Sequence, residues 1–379
     1  MKKTKIENDQ ALFSPDFLKE ENIRAVDAKT RAQQIAFSPL SFQAIRAMLE
    51  LGLLQLIEDS GDEGITSETL AEKAGISLYG VNVLCEMALG MEVIKLSEDS
   101  TFETDERYIL GKIGWMLLED ELTKANFWFT NDICYQGAWD LLDSIKNGKP
   151  EGLKIFGDKW TTIYEALSSL PERAKKSWFD FDHFYSDIAF PDALPIVFEK
   201  KPNHLVDIGG NTAKWAICCC KYDKNIHVTI MDLPGQTAVA EKNAAAAGFA
   251  ERISTRAGNI LGDSAVLPEG ADAVWMSQFL DCFSLHQITK IAKKIAASVS
   301  KNTWIYVLEP LWDKQHFAAS SYSLQATSLY FTCMANGNSK MYRYEEIVKA
   351  IEEGGLSLKC AHHNLGSNNY TLLAFQKKD

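Results

Sequence analysis

The stretch His204-Leu-Val-Asp-Ile-Gly-Gly-Asn-Thr-Ala-Lys-Trp-Ala-Ile-Cys-Cys-Cys-Lys221 decides the fold. Leu205, Val206 and Ile208 read as a buried strand, Gly209-Gly210 as a tight turn, and the residues from Thr212 onward as the start of a helix. A strand that turns on glycines into a helix presents backbone N–H groups and the positive end of a helix dipole at the strand's carboxyl edge, where doubly wound sheets hold nucleotide-like ligands. The spacing is not the dinucleotide fingerprint, because Lys214 stands where the last packing glycine of Gly-x-Gly-x-x-Gly would fall. A phosphate-binding loop is excluded as well, since no Gly-Lys-Ser/Thr follows. What remains is Val-Asp-Ile-Gly-Gly, with Asp207 inside the end of the strand.

Outward from this stretch, after Pro202, strand and helix alternate. Strands are expected over 204–208, 227–231, 253–256, 273–278, 303–308, 357–362 and 370–375, and helices near 212–222, 236–247, 285–299 and 344–353. No helix separates the last two strands, so they form an antiparallel hairpin on an otherwise parallel sheet. The expected fold class is α/β, a Rossmann-like doubly wound sheet with a C-terminal antiparallel hairpin, joined to a mainly α winged-helix N-terminal domain. Residues 1–35 read as a tail or helical arm, 36–112 as the winged-helix domain, 113–200 as an aromatic-rich helical connector, and 201–379 as the sheet domain.

In the amino-terminal part, an apolar stripe over 41–57 (Ile45, Met48, Leu49, Leu53, Leu56) predicts a helix that Gly52 weakens without ending. Thr66 or Ser67 is placed to cap the next helix, which Gly75 ends. A second helix over 78–91 leads into strand-like 93–96 and 101–104, the pattern of a winged helix-turn-helix. A DNA-binding role would put the second helix in the major groove, yet no lysine or arginine lies between Ala74 and Ile94. The net charge of −12 also opposes binding to nucleic acid or to an anionic membrane. A packing or dimerisation module is the expected role.

The connector is dense in aromatic residues, and Trp178-Phe-Asp-Phe-Asp-His-Phe-Tyr185 sets Asp180, Asp182 and His183 among five rings. His183 is either a satisfied structural histidine or a pocket residue. The eight cysteines, scattered apart from the consecutive Cys218, Cys219 and Cys220 and with no Cys-x-x-Cys pair, read as reduced packed thiols rather than a metal site, which points to the cytoplasm. The basic start, Met1-Lys-Lys, is followed by no apolar run, so no secretory signal is expected, and no stretch approaches the roughly 18 apolar residues of a membrane span.

Four successive strands finish in groups suited to a nucleoside. After Gly209-Gly210, the second strand ends at Asp232, 22 residues (232 minus 210) beyond Gly210 and placed for ribose hydroxyls. The third ends Arg256-Ala-Gly-Asn-Ile260, where Asn259 can address an adenine edge, and the fourth runs Trp275-Met-Ser-Gln-Phe-Leu-Asp-Cys-Phe-Ser284. With Leu233-Pro234 and Glu309-Pro310, this set resembles the class I S-adenosylmethionine-dependent methyltransferases. The winged amino-terminal domain narrows the resemblance to the small-molecule O-methyltransferases, from about residue 35 to the end. The resemblance implies S-adenosylmethionine as cofactor, a small aromatic acceptor held by the connector helices, and a homodimer formed through the amino-terminal domain. It places Asp207, Gly209, Gly210 and Asn211 on the methionine part of the cofactor and Asp232 and Leu233 on the ribose and adenine. Gly258, Asn259 and Ile260 fall on the adenine, with Ser277 and Gln278 at the end of the fourth strand completing the cofactor set. Asn211 and Ala213 stand where glycines are usual, and Asn259 where an aspartate is.

The catalytic position departs further from the family. Where the family reads Leu-His-Asp-Trp, this chain reads Leu280-Asp-Cys-Phe283, so Asp281 occupies the position of the general base and Glu309 matches one of the two acids that flank it. Asp281 and His183 are therefore the two candidate bases, while a carboxylate that merely caps the following helix is the structural alternative for Asp281. The expected activity is methyl transfer to a phenolic hydroxyl. Methylation of a ring carbon and a catalytically silent cofactor-binding protein are the alternatives.

Overall fold

A computed structural model describes residues 23–98, 100, 106–262 and 267–378; the side chains of residues 183, 185 and 186 lie outside the described parts. The described residues divide into two compact units, 23–128 and 129–378.

The first unit begins with the helix Ala25–Ala36, which buries none of its residues. The apolar stripe that predicts one helix is split into Ser38–Glu50 and Leu53–Glu58, because Gly52 adopts a left-handed conformation (φ 69°) at the break. Gly52 thus ends the helix rather than weakening it, since the glycine backbone can turn where another residue would resist. Thr66 caps Ser67–Ala74 by accepting the Thr69 N–H at 3.3 Å, and Gly75 closes it at φ 68°. The helix Leu78–Gly90 follows. A small antiparallel sheet, β1 (Ile65–Thr66), β2 (Ile94–Leu96) and β3 (Arg107–Leu110), has the order β1-β3-β2. The wing strand expected over 101–104 lies outside the described residues, and the strand that pairs with β2 is β3. Met48, Leu53, Ile57, Leu70, Val81 and Tyr108 form the core of this unit.

The second unit is built on seven strands: β4 (His204–Ile208), β5 (His227–Asp232), β6 (Ile253–Ala257), β7 (Ala273–Ser277), β8 (Trp304–Glu309), β9 (Leu356–Leu365) and β10 (Tyr370–Lys377). Their order is β6-β5-β4-β7-β8-β10-β9. The first five strands are parallel, and β10 runs antiparallel to both β8 and β9, as the hairpin expectation requires. Successive residues go to opposite faces: Leu205, Ile230, Trp275 and Tyr306 pack on one side, and Val206, Met231, Val274 and Ile305 on the other. Trp215 of the helix Lys214–Tyr222 stacks on Trp275 with ring centroids 3.8 Å apart, whereas Ile288, Ile291 and Ile295 of Leu285–Ser298 cover the opposite face. The helix Ala318–Tyr330, continued by a wider turn through Phe331–Ala335, carries no clear signal in the sequence pattern because its polar and apolar residues alternate without a single stripe.

The chain runs outward from β4 through β5 to β6, then returns to the other side of β4 with β7. The strand order therefore reverses between β4 and β7. Ligands of such sheets bind at that reversal, beyond the carboxyl ends of the strands.

Candidate functional site

A cavity of about 540 Å³ opens at this reversal. The turn after β4 forms its floor. Gly209 sits at φ 78°, and a Cβ there would fall 2.3 Å from the Phe279 ring; a Cβ on Gly210 would fall 2.6 Å from Asp207 Oδ2. Both glycines thus serve close approach, one to an aromatic wall and one to a buried carboxyl. Asn211 and Ala213 adopt φ values of 45° and 70°, and Gln278, at the end of β7, 44°. Asn211 and Ala213, where the family has glycine, thus keep a glycine-like backbone, at a cost of roughly 1–2 kcal/mol for a residue with a Cβ. This geometry moves the helix start from the expected Thr212 to Lys214 and ends β7 at Ser277 rather than at residue 278.

Asp232 is held at both oxygens: the Asn211 N–H donates to Oδ2 at 2.9 Å and the Leu233 N–H to Oδ1 at 2.7 Å. Asn259 Oδ1 accepts the Leu261 N–H at 2.9 Å, which shapes the loop after β6. Gly209, Asn211, Asp232, Leu233, Gly258, Asn259, Ile260 and Gln278 all line the cavity. Asp207, Gly210, Ser277 and Glu309 stand behind that lining. Asp207 is 2% exposed, and its Oδ2 has no hydrogen-bond partner. Burial, then the nearby charge of Asp232, pushes its carboxyl up to about 8.

These residues fit a cationic nucleoside cofactor. The cradle is one that a Cβ would fill, and Gln278 Oε1 on its lining is an acceptor without a donor. A carboxyl whose folded pKa exceeds its unfolded value stabilises the fold fully below the unfolded pKa near 4, and that contribution is lost as pH rises through 8. The unliganded protein should therefore lose stability between pH 5 and pH 8.5, by up to about 1.4 kcal/mol per pH unit for one such group. Asp207→Asn should flatten the slope in scanning calorimetry; an unchanged slope would contradict the assignment.

The far side of the cavity is aromatic. Tyr164, Trp178, Phe181, Tyr330 and Phe331 line it, with the Trp178 indole N–H donating to the Tyr330 hydroxyl at 2.9 Å. Phe181 stacks on Phe129 at 3.9 Å. Asp182, on the same helix Glu172–Ser186 as Trp178, also lines it. The backbone of His183 lies on this helix, but its side chain lies outside the described parts, so its candidate role receives no geometry.

Asp281 lies in the short 3-10 turn Leu280–Cys282, is 5% exposed, and lines the cavity where the glycine wall meets the aromatic one. It does not cap the following helix. Ser284 does, accepting the Gln287 N–H while the Gln287 side chain accepts the Ser284 N–H. Glu309 Oε1 accepts the N–H groups of Phe279 at 3.1 Å and Leu280 at 2.8 Å and so fixes the segment that carries Asp281. Burial raises the carboxyls of Asp281 and Glu309, and the Asp281 charge raises Glu309 further. The Cys282 thiol donates to Asp281 Oδ1 at 3.4 Å. Asp182, Tyr164 and Cys282 had no assigned role from sequence; an acid amid an aromatic run was the one usable signal for Asp182.

Comparison with known proteins places this geometry. Residues 29–102 match the Dimerisation2-like domain, and residues 139–355 match the O-methyltransferase domain. The L-tyrosine C(3)-methyltransferase of Streptomyces lavendulae is 21% identical over 328 residues, 85% of each chain. The 3-hydroxy-5-methyl-1-naphthoate 3-O-methyltransferase of Streptomyces sahachiroi is 31% identical over 109 residues, 29% of this chain and 31% of that one. The apo structure of the S-adenosylmethionine-dependent methyltransferase SibL superposes with a TM-score of 0.68 at 21% identity, covering 91% of this chain and 98% of that one. NcsB1, an O-methyltransferase of neocarzinostatin biosynthesis solved with S-adenosyl-L-homocysteine and 1,4-dihydroxy-2-naphthoic acid, gives 0.67 at 17% identity, covering 94% and 100%.

The fold is that of the S-adenosylmethionine-dependent methyltransferases. By the match over 139–355, the chain belongs to the O-methyltransferase domain family; it is a methyltransferase, and its cofactor is S-adenosylmethionine. No helix among the described residues is long and apolar enough to cross a membrane.

Proposed function

We propose that this enzyme methylates the hydroxyl of a small phenol of specialised metabolism, with Asp281 taking the proton. The observation that carries this reading is the continuity of one cavity from the glycine turn to Asp281 and the aromatic wall. The turn 209–211, with Asp207 behind it, would hold the methionine part of S-adenosylmethionine, Asp232 and Leu233 its ribose and adenine, and Asn259 and Ile260 the adenine. When bound, the cofactor supplies an electrophilic methyl group on a sulfonium. The chain's own residues do the rest. The aromatic wall excludes water and orients the ring, so that alignment lowers the barrier. A phenol of pKa about 10 must lose its proton, and an ordinary aspartate near 3.9 is a poor acceptor for it; burial raises Asp281 and narrows the gap. Glu309 positions the segment. Homodimer formation through the amino-terminal unit and a cytoplasmic location belong to the same proposal.

Calorimetry tests the first half, with micromolar S-adenosylmethionine binding as the expected result. No binding at high micromolar concentration would sink it. Transfer to a ring carbon of a phenol is the second reading, supported by the C-methyltransferase relative and by the missing histidine. NMR of the product separates the two, through the O-methyl and aryl-methyl carbon shifts.

A further inference from the structure

The charged residues that line the cavity are Glu165, Asp182, Asp232 and Asp281, and no lysine or arginine is among the described lining residues. Asp232 is engaged by two backbone N–H groups. Asp182 receives only a long contact from Asn211 Nδ2, at 3.4 Å. Lys214, the cation whose charge bears on it, forms an ion pair with Asp187 instead. Burial and then the charge of Asp281 push the Asp182 carboxyl up to about 7. A half-buried carboxyl between an acid and an aromatic wall lacks a strong donor.

The Tyr164 hydroxyl on the same lining is engaged by the Cys282 thiol, so it brings no donor to Asp182. An ammonium group offers three donors and no acceptor, and the faces of Trp178 and Phe181 attract a cation. On the acceptor side, beside Asp182 and Asp281, a carboxylate offers acceptors only and would be desolvated among like charges without a counter-ion.

Resting on the reading of this cavity as the acceptor site of a methyltransferase, we propose that the acceptor is a phenol bearing an aliphatic amine, held as its ammonium by Asp182, and that phenols bearing a free carboxylate are rejected. The hydroxyl then lies toward Asp281 and the amine toward Asp182. The side chain of Asp182 becomes a specificity determinant rather than a structural acid.

Calorimetry on the full-length enzyme tests this in two stages. The first is binding of S-adenosylhomocysteine; its failure removes the methyltransferase reading itself. The second, on the enzyme saturated with that compound, compares tyramine, 4-ethylphenol and 3-(4-hydroxyphenyl)propanoate. Tyramine should bind about tenfold more tightly than the neutral phenol, the scale of one partly screened charge pair, and the acid should bind most weakly. Asp182→Asn should bring tyramine down to the neutral phenol without changing S-adenosylhomocysteine affinity. Equal or tighter binding of the acid, or no binding of any of the three, overturns the proposal using the wild type alone. So does an Asp182→Asn variant that still binds S-adenosylhomocysteine and keeps the amine preference.

Discussion

Asp281→Asn should lower the single-turnover rate of methyl transfer to a phenol by about 10² to 10⁴, the usual contribution of a general base, while S-adenosylhomocysteine affinity stays within about threefold. The amide keeps the size and the hydrogen bond from Cys282 but cannot take a proton. The wild-type rate should rise with pH as Asp281 ionises and then level off. In the variant, the limb belonging to this group should disappear. The substitution also removes a charge that raises Asp182 and Glu309, so both carboxyls should titrate lower in the variant. A variant with the wild-type rate and profile would exclude Asp281 as the base, and His183→Gln would then be the next variant to measure.

Gly209→Ala is the second large effect. The position needs φ 78°, and the new Cβ would lie 2.3 Å from Phe279, which is two residues from Asp281. Left-handed backbone costs roughly 1–2 kcal/mol for alanine, and overpacking typically adds 1–3. Together they predict a stability loss of roughly 2–5 kcal/mol and a cofactor affinity reduced by about ten- to hundredfold, since Phe279 and the turn both line the cavity. Gly235→Ala is the control, because a Cβ there meets nothing within 4 Å. Equal unfolding temperatures and equal affinities for the two variants would show that the close approach of Gly209 to Phe279 is dispensable.

The sheet was largely legible because buried strands and amphipathic helices follow fixed periods, and the acids and glycines at strand ends mark the edge where ligands bind. Local backbone choices were less so. Gly52 breaks a continuous apolar stripe because left-handed φ is invisible to periodicity. Asn211 and Ala213 look like losses of glycine, yet they retain its conformation, since the surrounding turn imposes it. At Asp281 the sequence left a cap and a base both open. The reciprocal bonds of Ser284 and Gln287 remove the first, because they already satisfy the start of that helix. Asp182 could not be separated from its neighbour Asp180 by composition; only the helix rotation that turns Asp182 into the cavity distinguishes them.

The stacked indoles of Trp215 and Trp275 give the protein an optical handle. Their rings are 3.8 Å apart and inclined by 10°, and both side chains are buried, at 3% and 0% exposure. One ring follows the glycine turn by a few residues, and the other sits on β7, just before Gln278 and Asp281. Two such chromophores in fixed contact couple their transitions. The circular dichroism of that couplet should therefore report the packing beneath the ligand crevice without an added label.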